Sequence, residues 1–288
     1  DIDLDTGNIS LEKLKEKLET AKKENKLPKI IIPVHFAGQP TDQEEIWKLS
    51  KEYDFKIIED ASHSLGAKHM GEKVGSCKWS DVTVFSFHPV KIITSCEGGM
   101  STTNDKDIRD KMHLYRTHGI TKDSSKFVNG TDPWHYEQHV LGHNFRLSDL
   151  HAALGLSQLI KLPKFVSKRN SIASRYNSEL IRDNIQLPTI KKENYSSFHL
   201  YVIQMLHDDY KSERERIFKF LRKIKIGVNV HYIPIHLHPY YRKLGFKEGD
   251  FPNAEKFSNR SISLPIFYDL TDHEQEFVIE NICKSYDQ

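Results

Sequence analysis

The chain has 288 residues, roughly two domains' worth, and its 38% hydrophobic and 28% charged residues exclude a fibrous or disordered polymer. With 42 Lys and Arg against 40 Asp and Glu, the net charge of +2 gives no electrostatic case for nucleic acid or an anionic membrane surface. No apolar run approaches the roughly 20 residues that span a bilayer, and Cys77, Cys96 and Cys283 are too scattered for a disulfide framework or a paired-cysteine metal site, so a reducing, cytoplasmic setting is the default.

In chain order, Asp1-Ile2-Asp3-Leu4-Asp5 reads as the end of a strand. Ser10 is a candidate N-cap for a helix to about Asn25, with Leu11, Leu14, Leu18 and Ala21 on one face. The run Lys29 to His35 suits a strand buried on both faces, as in a parallel sheet. Asp42 to Tyr53 is helical, with Ile46, Leu49 and Ser50 inward; Phe55 to Glu59, Val82 to Ser86 and Gly99 to Thr103 are strands, and Asp105 to Tyr115 is a helix. Strands alternating with helices predict an α/β first half with a mostly parallel sheet. Residues 120–145 read as a loop, Ser148 caps a helix to Leu159, and another helix runs from about Leu162 to Ile181. Beyond it, strand-like 198–203 and 228–232 and helix-like 211–224 and 272–285 predict a smaller α+β unit. The domains expected are therefore 1–161 and 162–288.

Two segments carry chemistry. Asp60, in Glu59-Asp60-Ala61-Ser62-His63, lies just past the carboxyl end of a strand, the edge where open α/β sheets bind ligands. In Ser86-Phe87-His88-Pro89-Val90-Lys91 a strand ends in polar groups and presents one lysine, before Gly98-Gly99 turns the backbone into the next strand. Taken singly, a lysine is most often a solvated surface residue and an aspartate at a strand end a turn residue. Together they match pyridoxal phosphate, which needs a lysine amine for its Schiff base and a carboxylate to keep the pyridine nitrogen protonated.

Several words in order make the chain resemble the DegT/StrS-type sugar aminotransferases, pyridoxal-phosphate enzymes of fold-type I: Val34-His35-Phe36-Ala37-Gly38-Gln39-Pro40, Glu59-Asp60-Ala61-Ser62-His63, Ser86 to Lys91, Glu97-Gly98-Gly99-Met100, Leu141 to Asp149, and His151-Ala152-Ala153-Leu154-Gly155. The segment Val228 to His236, with Pro239-Tyr240-Tyr241, resembles the pseudaminic acid branch. The resemblance implies Lys91 as Schiff-base lysine and proton shuttle, Asp60 on the pyridinium nitrogen, His63 beside the cofactor's phenolic oxygen and Ser86 on the phosphate. It implies that Asn144 reaches the partner subunit's cofactor in a homodimer, and that His88, Arg146, His231 and Tyr232 lie toward the sugar nucleotide. The implied reaction moves an amino group from glutamate to C4 of a UDP-linked 4-keto-6-deoxy-N-acetylamino sugar, with no metal, membrane or nucleic acid involved. The alternatives are the same chemistry on another nucleotide-4-keto sugar, or an inactive paralogue that only dimerises.

Two departures from the family pattern set expectations. Cys96 stands where a small residue, usually Gly, precedes Glu97. Family members also carry on the order of a hundred further residues before the first strand here, including a phosphate-binding loop and a ring-stacking aromatic. The large domain is thus read as lacking its N-terminal part, and this chain as a fragment that binds cofactor poorly. His231, His236 and His238 read as chance neighbours among sixteen histidines rather than as a metal site. Arg116-Thr117-His118-Gly119 reads equally as an anion holder or a helix end.

Overall fold

A computed structural model describes residues 1–286. Helix α1 (Leu11–Lys23) starts where Ser10 accepts the Lys13 amide proton, and buries Leu14 and Leu18. Strand β1 (Ile30–Ile31), helix α2 (Gln43–Tyr53) and strand β2 (Lys56–Asp60) follow. Leu14 and Leu18 meet Ile46, Leu49, Tyr53, Phe55 and Ile57 in one apolar cluster that fixes β2 against both helices. Strands β3 (Val82–Ser86) and β4 (Gly99–Thr102) complete a sheet of order β1-β2-β3-β4. The first two pairs are parallel and β3–β4 is antiparallel, so the predicted mostly parallel sheet is present. The register sets Glu59 against Thr83 and Asp60 against Val84, so β2 and β3 end together at one carboxyl edge.

Helix α3 (Lys106–Arg116) is capped by Asp105, whose carboxylate accepts from the amides of Asp107 and Ile108. Helix α4 (Asp149–Leu159) is capped by Ser148, and α5 (Leu162–Glu179) follows with Pro163 in its first turn. Strands β5 (Ile185–Gln186), β6 (Tyr201–Met205) and β7 (Ser261–Leu264) form a second, antiparallel sheet of order β7-β6-β5. Helices α6 (Tyr210–Lys223), α7 (Pro252–Arg260) and α8 (Asp272–Tyr286) accompany it. A large apolar core runs from Ile172 on α5 through Tyr201, Ile203 and Ile262 to Ile282 on α8.

The structure corrects the sequence reading in four places. Residues 228–232 make no strand; a single bridge joins Asn229 to Ser263. The strand at 29–35 is shorter and one-sided, because Ile30, Ile32 and Val34 face outward while Ile31 joins the α1–α2 core. Asp1 to Asp5 does not end a sheet strand: Ile2 bridges back to Ile9, and Asp3 closes the loop by accepting from the amides of Asp5 and Thr6. Within the 120–145 loop, 120–121 and 137–138 form a small ladder.

Candidate active site

Asp60 is the last residue of β2, and its backbone is held on both sides: its N–H donates to Pro33 and its carbonyl accepts from His35. Behind it, the buried Glu59 carboxylate accepts from Thr83 Oγ1 at 2.6 Å and from the Gln43 amide; against the opposing effect of burial, His35 first and then these two donors hold its pKa below the usual carboxylate value. Asp60 Oδ1 accepts the Ser62 amide proton at 3.0 Å; Oδ2 has no donor among the described residues.

Lys91 follows β3 on a turn in which its N–H donates to the His88 carbonyl. The Phe87 carbonyl receives Thr94 Oγ1 (2.9 Å) and the Ser95 amide, and Phe87 N–H donates to Gly98, so the loop 87–98 is tied at its base. Gly98 has φ +155°, and a side chain there would meet Ser95 Oγ at 2.5 Å, which explains the glycine. Cys96 holds φ +67°, a left-handed conformation that glycine adopts without strain. This is the physical reason for the glycine expected at that position. Lys91 is half-buried, and no hydrogen bond or ion pair takes its amine among the described residues. Burial lowers its pKa, against the opposing pull of the Asp60 carboxylate.

Imidazoles surround the pair. His63 is buried, and burial followed by the Lys91 charge pushes its pKa down to about 3. Its Nε2 lies 3.4 Å from the Tyr232 hydroxyl, and its buried Nδ1 has no partner. His231 sits beside Lys91 and is likewise shifted down, chiefly by burial. Phe36 closes another side, 6.3 Å from the His63 ring and 6.4 Å from that of Tyr232.

The structure thus brings Asp60, His63, Lys91, His231 and Tyr232 together. Ser86, at the end of β3, is half-buried and receives the His88 amide proton at 3.4 Å. His88 is exposed and 3.8 Å from Glu97. Asn144 and Arg146 lie apart on an exposed segment, where Asn144 bridges to Thr117.

His199 belongs to the site and the sequence reading missed it. Its buried ring lies 4.4 Å from that of His63, its Nδ1 is also unpartnered, and burial takes its pKa down to about 2. It arrives on the segment before β6. There Gly38, at φ +104°, lets the backbone approach so closely that a side chain would come within 2.8 Å of the Phe198 and His199 amide nitrogens. Arg169 Nη1 donates to the carbonyls of Phe198, His199 and Ile266, and Ser197 Oγ donates to the His63 carbonyl. The signal in the sequence was the motif around Gly38, whose glycine demanded a close neighbour but did not name it.

The family model for the DegT/DnrJ/EryC1/StrS aminotransferases matches residues 1–283. This chain belongs to that family. DegT-family aminotransferases are pyridoxal-phosphate enzymes of fold-type I, and the chain is an aminotransferase with that fold. It is 40% identical over 286 residues to an uncharacterized protein of Methanocaldococcus jannaschii, covering 99% of this chain and 72% of the relative. It is 38% identical over 289 residues to the UDP-4-amino-4,6-dideoxy-N-acetyl-β-L-altrosamine transaminase of Campylobacter jejuni, covering 97% of this chain and 73% of that enzyme. The solved structure of Helicobacter pylori PseC, an aminotransferase of pseudaminic acid biosynthesis, shares the fold with TM-score 0.86 at 34% identity, covering 99% of this chain and 72% of that one.

The residues present fit the DegT-family cofactor. Among the described residues, an amine without an acceptor, a carboxylate oxygen without a donor and two orphaned buried imidazole nitrogens lie within one another's electrostatic influence at the sheet's carboxyl edge. These are the groups that an aldehyde, a pyridinium N–H and a phenolic oxygen would satisfy.

Proposed function

We propose that this aminotransferase moves the amino group of glutamate to C4 of a UDP-linked 4-keto-6-deoxy-N-acetylamino sugar, in nucleotide-sugar biosynthesis of the pseudaminic acid type. The observation that carries the reading is that Lys91 and Asp60 lie within electrostatic reach of each other, each with a polar atom unsatisfied among the described residues, amid imidazoles kept neutral by burial. The acceptor sugar follows from the names of the Campylobacter relatives and of the PseC structure.

Pyridoxal phosphate supplies an aldehyde that takes up the amino group and a ring that accepts the electron pair left when a C–H bond breaks. Lys91 Nζ anchors the aldehyde carbon. When not bonded to the cofactor, the same nitrogen would be placed to hold and move a proton at the reacting centre. Its lowered pKa keeps more of the amine unprotonated at neutral pH, the form that bonds and accepts protons. Asp60 would keep the pyridine nitrogen protonated, His63 would lie toward the phenolic oxygen, and Ser86 would bind the phosphate. His88, Arg146, His231 and Tyr232 line the sugar-nucleotide side.

Residues 1–161 form the cofactor domain in this reading, and 162–288 the linking helix and the smaller domain. A cytoplasmic setting is part of this reading, in keeping with three free cysteines; separately, no described helix is long and apolar enough to cross a membrane. Asn144 serves the partner's cofactor in a homodimer. The dimer reading is supported by α4, which buries none of its residues and turns Leu150 and Leu156 outward, with Ile160 exposed beyond its end. Sedimentation velocity at micromolar concentration should return twice 33.6 kDa.

Product analysis tests the substrate. With glutamate and the UDP-4-keto sugar, the chain should yield a UDP-4-amino sugar and one equivalent of 2-oxoglutarate. Amination only of a dTDP-linked ketone would replace the proposed acceptor with another nucleotide sugar.

A further inference from the structure

Hydrogen bonds to β7 orient His231. The Asn229–Ser263 bridge is a reciprocal pair: Ser263 N–H donates to the Asn229 carbonyl at 2.8 Å, and Asn229 N–H to the Ser263 carbonyl at 3.3 Å. This pins the 228–232 segment to β7. His231, two residues beyond Asn229, lays its Nδ1 2.7 Å from Ser263 Oγ, and Ser263 is buried.

The tautomer follows from the neighbours. The Val230 amide donates to Asn229 Oδ1 at 2.8 Å, so the oxygen end of that side chain is fixed. Its other end, Nδ2, lies 3.5 Å from His231 Nε2 and can only donate. Nε2 is therefore the acceptor nitrogen, and the proton of the neutral ring sits on Nδ1, given to Ser263 Oγ. Burial and the Lys91 charge both lower the pKa of His231, which keeps the ring neutral at neutral pH.

We propose that Ser263 is a positioning residue of the aminotransferase: its Oγ accepts a hydrogen bond from His231 Nδ1–H and fixes the ring beside Lys91 with Nε2 as an acceptor, which Asn229 Nδ2 reaches only at 3.5 Å and which a hydroxyl of the sugar takes over. The inference rests on the reading above that His231 faces the sugar nucleotide.

The test uses the full chain labelled with 15N-histidine, with His231 assigned from the signal lost in His231→Gln. The unmodified protein should show His231 as the Nδ1-protonated tautomer at pH 7.5. Ser263→Ala should move the ring toward the Nε2-protonated form, and Ser263→Thr should restore the original. In kinetics, Ser263→Ala should raise KM for the sugar acceptor about tenfold, the size of one hydrogen bond, while the glutamate half-reaction is unchanged. An Nε2-protonated His231 in the unmodified protein overturns the proposal, as does an equal loss in both half-reactions, which is what a merely structural serine would give. Borohydride labelling of Lys91 in Ser263→Ala separates the two readings. Loss of the label from every variant refutes the cofactor site, whereas a retained label with an unmoved tautomer refutes only the role of Ser263.

Discussion

His63 and His199 show how burial, rather than a charged partner, sets the chemistry of a site. Both rings lose their water, both sit near the Lys91 charge, and both are held neutral well below pH 6. The same shifts bear on stability. In the unfolded chain these histidines take up protons near pH 6.5, while in the folded protein they resist protonation until about 3 and about 2. Their contribution is therefore fully present above pH 6.5 and declines as pH falls below it, because the unfolded state binds the extra protons. The thermal midpoint should fall steadily from pH 7 to pH 5, and His63→Gln should make that fall shallower. An unchanged slope in the variant would show that His63 is not the group that titrates.

At the scale of elements, the capped and amphipathic segments were legible before the structure. Ser10 and Ser148 each accept the amide protons expected of an N-cap, and Leu14, Leu18, Ile46 and Leu49 turn inward as their spacing predicts. The segment 228–232 misled because alternating Val228, Val230 and Tyr232 is also what a bridge and an irregular loop can present; the periodicity cannot count ladder bonds. Pairing of β7 with β6 was illegible because Ser261-Ile262-Ser263-Leu264 is half serine, yet all four residues are buried. The Lys91 loop adds a local lesson. Cys96 at φ +67° bears a conformational penalty of about 1–2 kcal/mol that glycine avoids, offset in part by glycine's greater unfolded-state entropy. Cys96→Gly should therefore stabilise the protein by roughly 0.5 kcal/mol in chemical denaturation. A destabilisation would mean that the exposed cysteine side chain makes a contact worth more than the strain.

For the whole molecule, the site exists because two separately built halves meet. The parallel sheet delivers Asp60 and Lys91 to one edge, and the segments 197–200 and 228–232 bring His199, His231 and Tyr232 against it. The sequence identified Asp60, His63 and Lys91 because they sit in short words within one local unit. It missed His199, because that contact depends on Gly38 and Ser197 meeting partners more than a hundred residues away, and on Arg169 tying the His199 carbonyl from α5. Arg169 is the buried tie: it remains protonated, with a pKa lowered only to about 10 by burial, and its Nη1 donates to three backbone carbonyls. Everything assigned to this assembly depends on a single bond from the cofactor to one amine. The direct measurement is borohydride reduction of the chain incubated with pyridoxal phosphate, followed by peptide mapping. An adduct confined to Lys91, absent from Lys91→Ala and weakened in Asp60→Asn, is the predicted result; an adduct on another lysine, or equal labelling in Lys91→Ala, would contradict it.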